Sequence, residues 1–258
     1  MTTTKDDIIA AIDVPAALGL LSRLPVPVDG DAATARGARA AWAWPVAGLI
    51  IAGLAGAVGT LALWLGIPTG LAAALVLTTQ IVVTGAMHED GLADSADGLW
   101  GGWTVERRLE IMKDSRIGAY GVIALVLGLL IRWQALTLIA DHGALWPALL
   151  ALGAGSRATM VVVMGTVPPA RPSGLSRSVG QPPAPTIWLA VAVAVVAGAL
   201  TLGSATLVIG IVMGLVGLVW ARVARAKIGG QTGDILGSTQ NLTEIAGLLA
   251  LSVLWGSD

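Results

Sequence analysis

P-V-A-G-L-I-I-A-G-L-A-G-A-V-G-T-L-A-L-W-L, residues 45–65, contains no charged side chain. At the 1.5 Å rise of an α-helix, a run of this length crosses the roughly 30 Å hydrocarbon core of a bilayer. Similar runs follow at 70–87, 117–140, 145–167, 187–202 and 205–221. Backbone in lipid must satisfy its own hydrogen bonds, so retained runs of this kind are helices. The expected fold is all-α, a polytopic integral membrane bundle of about six or seven transmembrane helices. The seventh is open: residues 242–255 form a shorter run that contains Glu244, and read as a further span, a re-entrant piece or a buried core helix.

Composition agrees with the runs. Of 258 residues, 55% are hydrophobic and 12% charged, about half the charge of an ordinary soluble domain, where it is roughly 25%. Fifteen basic and 16 acidic residues leave a net charge of −1, so no field points to nucleic acid as a partner. Cysteine is absent, which removes thiolate metal sites and thiol nucleophiles and leaves oxygen ligands for any metal. Lys5 is followed by Asp6 and Asp7, and no cleavage site is evident, so a removed signal peptide is not expected. Residues 1–40 read as an interfacial segment, with Ile8, Ile9, Ile12 and Ala16 at helical spacing before R-L-P-V-P (23–27) breaks the pattern. Gly48, Gly53, Gly56 and Gly59 suit close helix packing in lipid, within one chain or in a homo-oligomer. No internal repeat is visible, and residues 1–258 read as one membrane-embedded domain.

Loop charges set an expected orientation. Arg23, Arg36 and Arg39, then Arg107, Arg108, Lys113 and Arg116, then Arg171 and Arg177, then Arg222, Arg225 and Lys227 fall in alternate connections. The intervening ones, near 66–69, 141–144 and 203–204, have no Lys or Arg. Basic loops stay in the cytoplasm, which places an active site there as well, because every acidic motif lies on that side.

The longest polar insert, 88–116, opens with H-E-D-G-L-A-D-S-A-D-G (88–98). Asp90, Asp94 and Asp97 stand at i, i+4 and i+7, within about 60° of one another on a helix. Carboxylates so close repel unless solvated, neutralised or bound to a cation, and all-oxygen ligands favour Mg²⁺ or Mn²⁺. A solvated polar face is the plainer alternative. Further on, Lys113, Asp114 and Arg116 supply another candidate ligand and two phosphate partners, whereas Arg107 and Arg108 read as anchors. The segment 227–241 begins K-I-G-G-Q-T-G-D-I-L-G, a Gly-rich loop in which Gly229, Gly230 and Gly233 would expose N–H groups to an anion. Asp234 would join the metal or orient a nucleophile. Arg157, inside the fourth run, either binds phosphate or pairs within the bundle. Arg132 reads as snorkelling, His88, Glu89 and Glu244 are undecided, and the ten tryptophans read mostly as interface anchors.

R-L-P-V-P, H-E-D-G-L-A-D-S-A-D-G, I-M-K-D-S-R-I-G-A-Y-G (111–121) and G-G-Q-T-G-D-I-L-G (229–237), in this order over nearly the whole chain, resemble the cobalamin synthase family, adenosylcobinamide-GDP ribazoletransferases. The resemblance implies a membrane enzyme that joins α-ribazole or α-ribazole phosphate to adenosylcobinamide-GDP and releases GMP, with Mg²⁺ as cofactor. Glu89 stands where an aliphatic residue is more usual and Pro169 where a tyrosine is; Glu89 therefore inherits no role. Arg171, in A-R-P-S-G-L (170–175), resembles that family's basic loop and becomes a substrate-phosphate contact. The expected mechanism places one or two Mg²⁺ ions on Asp90, Asp94 and Asp97 with Asp114 or Asp234, and a neighbouring carboxylate takes the proton of the attacking hydroxyl. A CDP-alcohol phosphotransferase of lipid synthesis is one alternative, although Asp94 stands where its signature needs arginine. A cation transporter is a poorer one, since the acids sit at one end and no inverted repeat is visible.

Overall fold

Apolar runs interrupted by few breaking residues give long helices, and the computed structural model is helical over most of the described residues, 7–255. The first six residues of the expected interfacial segment, Lys5 and Asp6 included, lie outside that range. In chain order the helices are α1 (Asp13–Leu21), α2 (Gly30–Arg36), a 3-10 helix at Gly37–Ala43, α3 (Trp44–Trp64), α4 (Thr69–Thr84), α5 (Met87–Gly101) and α6 (Val105–Ile111). They continue with α7 (Ala119–Asp141), α8 (Leu145–Thr166), α9 (Leu175–Val179), α10 (Ala184–Leu202), α11 (Ala205–Ile228) and α12 (Gly233–Trp255).

Among the described residues, five helical stretches are long and apolar enough to cross a bilayer: Gly30–Trp64, which ends in α3, and those that form α7, α8, α10 and α11. The expected sixth span, 70–87, is instead broken. α4 ends at Thr84, and α5 leaves it at 87°. Gly85 (φ 64°) and Ala86 (φ 58°) are both left-handed, so the chain turns within two residues. Their N–H groups close the end of α4 on the carbonyls of Val82 and Ile81. The incoming N-terminal strap takes another, Arg23 N–H to Val83 O at 2.7 Å.

Two further expectations change. The run 242–255 is the outer half of a continuous 23-residue helix, α12, about 34 Å long. The span is hidden in the sequence because Ser238, Thr239, Gln240, Asn241, Thr243 and Glu244 straddle the start of that run, all buried among α5, α7, α8 and α11. For the same reason the Gly-rich loop 227–241 shrinks to the turn 229–232, between α11 and α12. At the N-terminus, the helix starts only at Asp13, leaving Ile8 and Ile9 exposed before it. Asp13 is fully buried and pairs with Arg36 (Nε to Oδ1, 2.7 Å), while the Trp42 indole donates to its other oxygen at 2.8 Å. Leu18 and Leu21 of α1 pack on Trp44, Met160 and Met164, so this segment is docked against the ends of α3 and α8.

The core between the helices is built on small residues. A Cβ at Gly153 of α8 would stand 2.8 Å from the Gly48 carbonyl oxygen of α3, so these two backbones touch. Large apolar side chains point outward, Leu200, Leu207 and Val253 among them, as lipid contact requires. The turns 66–68, 142–144 and 203–204 share one end of the bundle; α1, α2, α5, α6, α9 and the start of α12 gather at the other.

Candidate active site

The bend after α4 lays α5 across the start of α12. The two helices meet backbone to backbone, since a Cβ on Gly91 would come 2.9 Å from the Asp234 carbonyl oxygen and 3.1 Å from the Gly237 Cα. That crossing puts the acidic face of α5 beside Asp234. The opposite wall comes from the segment after α8, held by a short parallel bridge between Pro169 and Gln231. Gln231 N–H donates to Pro168 O and Ala170 N–H to Gln231 O, both at 2.8 Å. Gly230 lies too close to Pro168 and Ala170 for any side chain, and Gly229 takes the left-handed φ of 76° that ends α11. These two glycines are thus explained by the turn, while Gly233 faces the space in front of it.

That space is a cavity of about 260 Å³, walled by Asp90, Arg171, Arg177, Thr232, Gly233 and Asp234 among others. It is below the roughly 300–1,000 Å³ of sites that enclose a drug-sized ligand, a size that takes one polar part of a larger molecule. The positive end of the 23-residue α12 meets it, with Thr232 Oγ1 accepting from Ile235 N–H at 3.3 Å and donating to Asp234 Oδ2 at 3.1 Å. Arg171 stands 3.6 Å from Asp234 Oδ2 and donates to Leu109 O at 3.0 Å. Its Nε is buried with no hydrogen-bond partner.

Asp94 is partly buried one turn along α5 from Asp90 and lies outside the lining of the cavity. Burial first, then the charges of Asp90, Asp234 and Asp97, push its carboxyl up to about 7, against the opposing pull of Arg171. Burial also raises Asp234, with Arg171 and the Thr232 hydroxyl acting the other way. Asp97 behaves differently. Its two oxygens accept from Gly118 N–H (2.6 Å) and Gly121 N–H (2.9 Å) and so bind the N-terminus of α7.

Other candidates from the sequence lie apart from the cavity. Asp114 and Arg116 pair with each other at 2.7 Å in an exposed loop, which holds Asp114 down at about 2, and Lys113 is exposed beside them. Arg108 ties α6 to α11 through the Lys227 carbonyl at 2.8 Å. Arg157 is buried in the bundle, with Gly153 O as its hydrogen-bond partner at 3.1 Å. Arg132 does not snorkel: it is 2% exposed and bonds Glu89 at 2.8 Å and Glu244 at 3.1 Å. Arg177, Ser176 and Gln231 at the cavity had not been singled out, and Gln231 alone lay within a quoted motif. A larger cavity, about 660 Å³ between α8, α10 and α11, is lined without any charged residue and has no part in this chemistry.

Among the described residues no group of three His, Asp or Glu stands close enough to be a preformed metal cage. In kind, however, the donors suit a hard cation: Asp90, Asp94 and Asp234 offer only oxygen, and after burial the charges of Asp90, Asp234 and Asp97, which a cation would offset, add to the rise of Asp94.

Fold and site together define a polytopic membrane protein with an acidic, arginine-flanked cavity at one end of its bundle. Its relatives make that class particular. The sequence profile described as cobalamin-5-phosphate synthase matches residues 13–252, and the chain belongs to that family. It is 48% identical over 250 residues to a Bradyrhizobium diazoefficiens protein named adenosylcobinamide-GDP ribazoletransferase, covering 96% of this chain and 95% of the relative. Proteins of the same name from Mesorhizobium japonicum and a Sinorhizobium species are each 42% identical, over 95% and 93% of this chain and 94% and 97% of theirs. No solved structure matches the chain.

Proposed function

We propose that the chain transfers the adenosylcobinamide-phosphate group of adenosylcobinamide-GDP to α-ribazole or its phosphate and releases GMP, with Mg²⁺ held by Asp90, Asp94 and Asp234. The observation that carries this reading is the meeting of Asp90, Asp234 and Arg171 at one cavity, with Asp94 one turn further along α5 and raised by burial and by the neighbouring carboxylates. The cavity takes the diphosphate, and the bulky corrinoid and nucleoside extend beyond it. Arg171 and the start of α12 grip the diphosphate oxygens. A bound Mg²⁺ supplies neutralisation of the charge that develops on the leaving GMP. A carboxylate beside those that hold the metal accepts the proton of the attacking ribazole hydroxyl. The new O–P bond forms as the P–O bond to GMP breaks, and no covalent enzyme intermediate is needed. The basic connections gather at the end that holds the cavity, which supports an inner-membrane protein whose site opens to the cytoplasm.

Purified protein in lipid vesicles, given adenosylcobinamide-GDP with and without α-ribazole, tests this directly. Mg²⁺-dependent GMP release that requires ribazole is the expected result. Its absence from folded protein sinks the reading.

A further inference from the structure

Beneath the acidic cavity lies a second cluster of charge, enclosed by α4, α5, α7, α8 and α12. Arg132 of α7 is its hub: NH1 reaches Glu89 Oε1 at 2.8 Å and Asn241 Oδ1 at 3.3 Å, and NH2 reaches Glu244 Oε1 at 3.1 Å and Gln80 Oε1 at 3.2 Å. Gln240 links Glu244 to Ser156 of α8. Arg157 and His88 close the chamber. Two arginines face two glutamates, all buried, so the cluster is balanced in formal charge and asks for no ligand.

Its connection to the active site is through α5. Glu89 immediately precedes Asp90, and successive helical residues are about 100° apart, so the inward aim of Glu89 fixes the outward aim of Asp90. The other holds near the bend are packing and backbone: Met87 rests on the core cluster that contains Leu236, His88 is buried, Gly91 meets Gly237, and the preceding link is the two-residue turn at Gly85–Ala86. Hydrogen bonds hold Glu89 itself, from Arg132 at 2.8 Å and from Asn241 at 3.4 Å. Farther along α5, Ser95 bonds Ser238 at 3.1 Å and Asp97 binds the start of α7. We propose that Arg132 is a positioning residue for the active site: through Glu89 it locks the rotation of the first turn of α5 and so directs Asp90 at the cavity. The role rests on the proposed reaction for its kinetic consequence, but the lock itself is a matter of geometry.

The test is the double variant Glu89→Leu/Arg132→Met. It removes one charge of each sign and leaves Arg157 with Glu244, so the chamber stays balanced, and apolar replacement of a buried pair is commonly neutral for folding. If Arg132 only stabilised the bundle, a well-folded double variant would keep its rate. The expected result is an unchanged melting temperature and KM with kcat lower by about 10²-fold, the scale of a 1 Å misplacement of a reacting group. A direct readout accompanies it. The chain has no cysteine, so spin labels on Met87→Cys in the first turn of α5 and Trp188→Cys in α10 report one distance, which should broaden or shift in the double variant. Unchanged kcat and an unchanged distance overturn the proposal. Should the double variant fail to fold, Glu89→Gln alone, which keeps an acceptor for Arg132, should retain a narrow distance and most of the rate, while Glu89→Ala should lose both; equal behaviour of the two overturns it. If wild type releases no GMP, the reaction is wrong and the label distances alone decide the lock.

Discussion

α5 and α12 wall both the cavity at the mouth and the chamber beneath it, yet the two differ in charge. At the mouth, Asp90, Asp94 and Asp234 outnumber Arg171 and Arg177, and burial together with the neighbouring carboxylates lifts Asp94 to about 7. In the chamber, Glu89 and Glu244 are matched by Arg132 and Arg157. Both sets of acids look alike as letters. The difference teaches that uncompensated charge at an accessible place marks where a ligand belongs, whereas compensated charge out of reach of water holds helices in register.

Substitutions can break or sharpen that contrast. The largest effect is expected from Asp94→Asn, which takes a carboxylate from the proposed metal set and should lower GMP release by about 10²–10⁴-fold, the several kcal/mol that a bound cation contributes, with the protein still inserted and folded; a near-normal rate would remove Asp94 from the chemistry. In the chamber the same scale should appear as stability. Arg132→Met alone leaves Glu89 and Glu244 with Arg157 as their single cationic partner in the chamber, and breaking a buried pair costs about 3–5 kcal/mol, to be read as a lower melting temperature in detergent. Arg171→Ala should raise the KM for adenosylcobinamide-GDP by about tenfold to a hundredfold, as loss of a charged hydrogen bond of about 1.5–3 kcal/mol would. Arg116→Ala, already paired with Asp114 in solvent, should change KM by less than about twofold because exposed pairs contribute little.

A smaller effect is expected from pH. Asp94 rises from 3.8 in the unfolded chain to about 7 when folded, so near pH 5 the folded protein holds a proton that the unfolded chain has released. The stability due to that proton is fully present below about 4, falls as pH rises toward 7 and is absent above it. Asp94→Asn removes the cost, and its melting temperature should exceed wild type by more at pH 8 than at pH 5. Added Mg²⁺ should stabilise wild type at pH 8 and leave the variant unmoved; equal stabilisation of both would place the cation elsewhere.

How much of this could be read from the sequence follows from how local each feature is. The spans α3, α7, α8, α10 and α11 declare themselves in single unbroken runs. Asp90 and Asp94 are legible because their spacing alone puts them on one helix face. The bend at Gly85–Ala86 is not, since glycines such as Gly53 and Gly210 occur in helices that run straight through them. Asp97 shares the spacing of its neighbours, and only the approach of α7 turns its oxygens toward backbone N–H groups. Asp114 and Arg116 satisfy each other, which no motif states. The chamber draws on residues 80, 89, 132, 157 and 244, far apart in the chain, so its pairing exists only in the folded bundle.

The polar inner half of α12 carries a consequence for how the protein is made. A helix with Gln240, Asn241 and Glu244 in its middle enters bare lipid poorly, because such groups cost free energy at the centre of a bilayer. The partners outside α12 that bond them, Glu89, Arg132 and Ser156, lie earlier in the chain, and so does Trp220, which donates to Ser238. The ribosome therefore delivers these partners first, and α12 enters the membrane by docking into a cradle of helices already assembled.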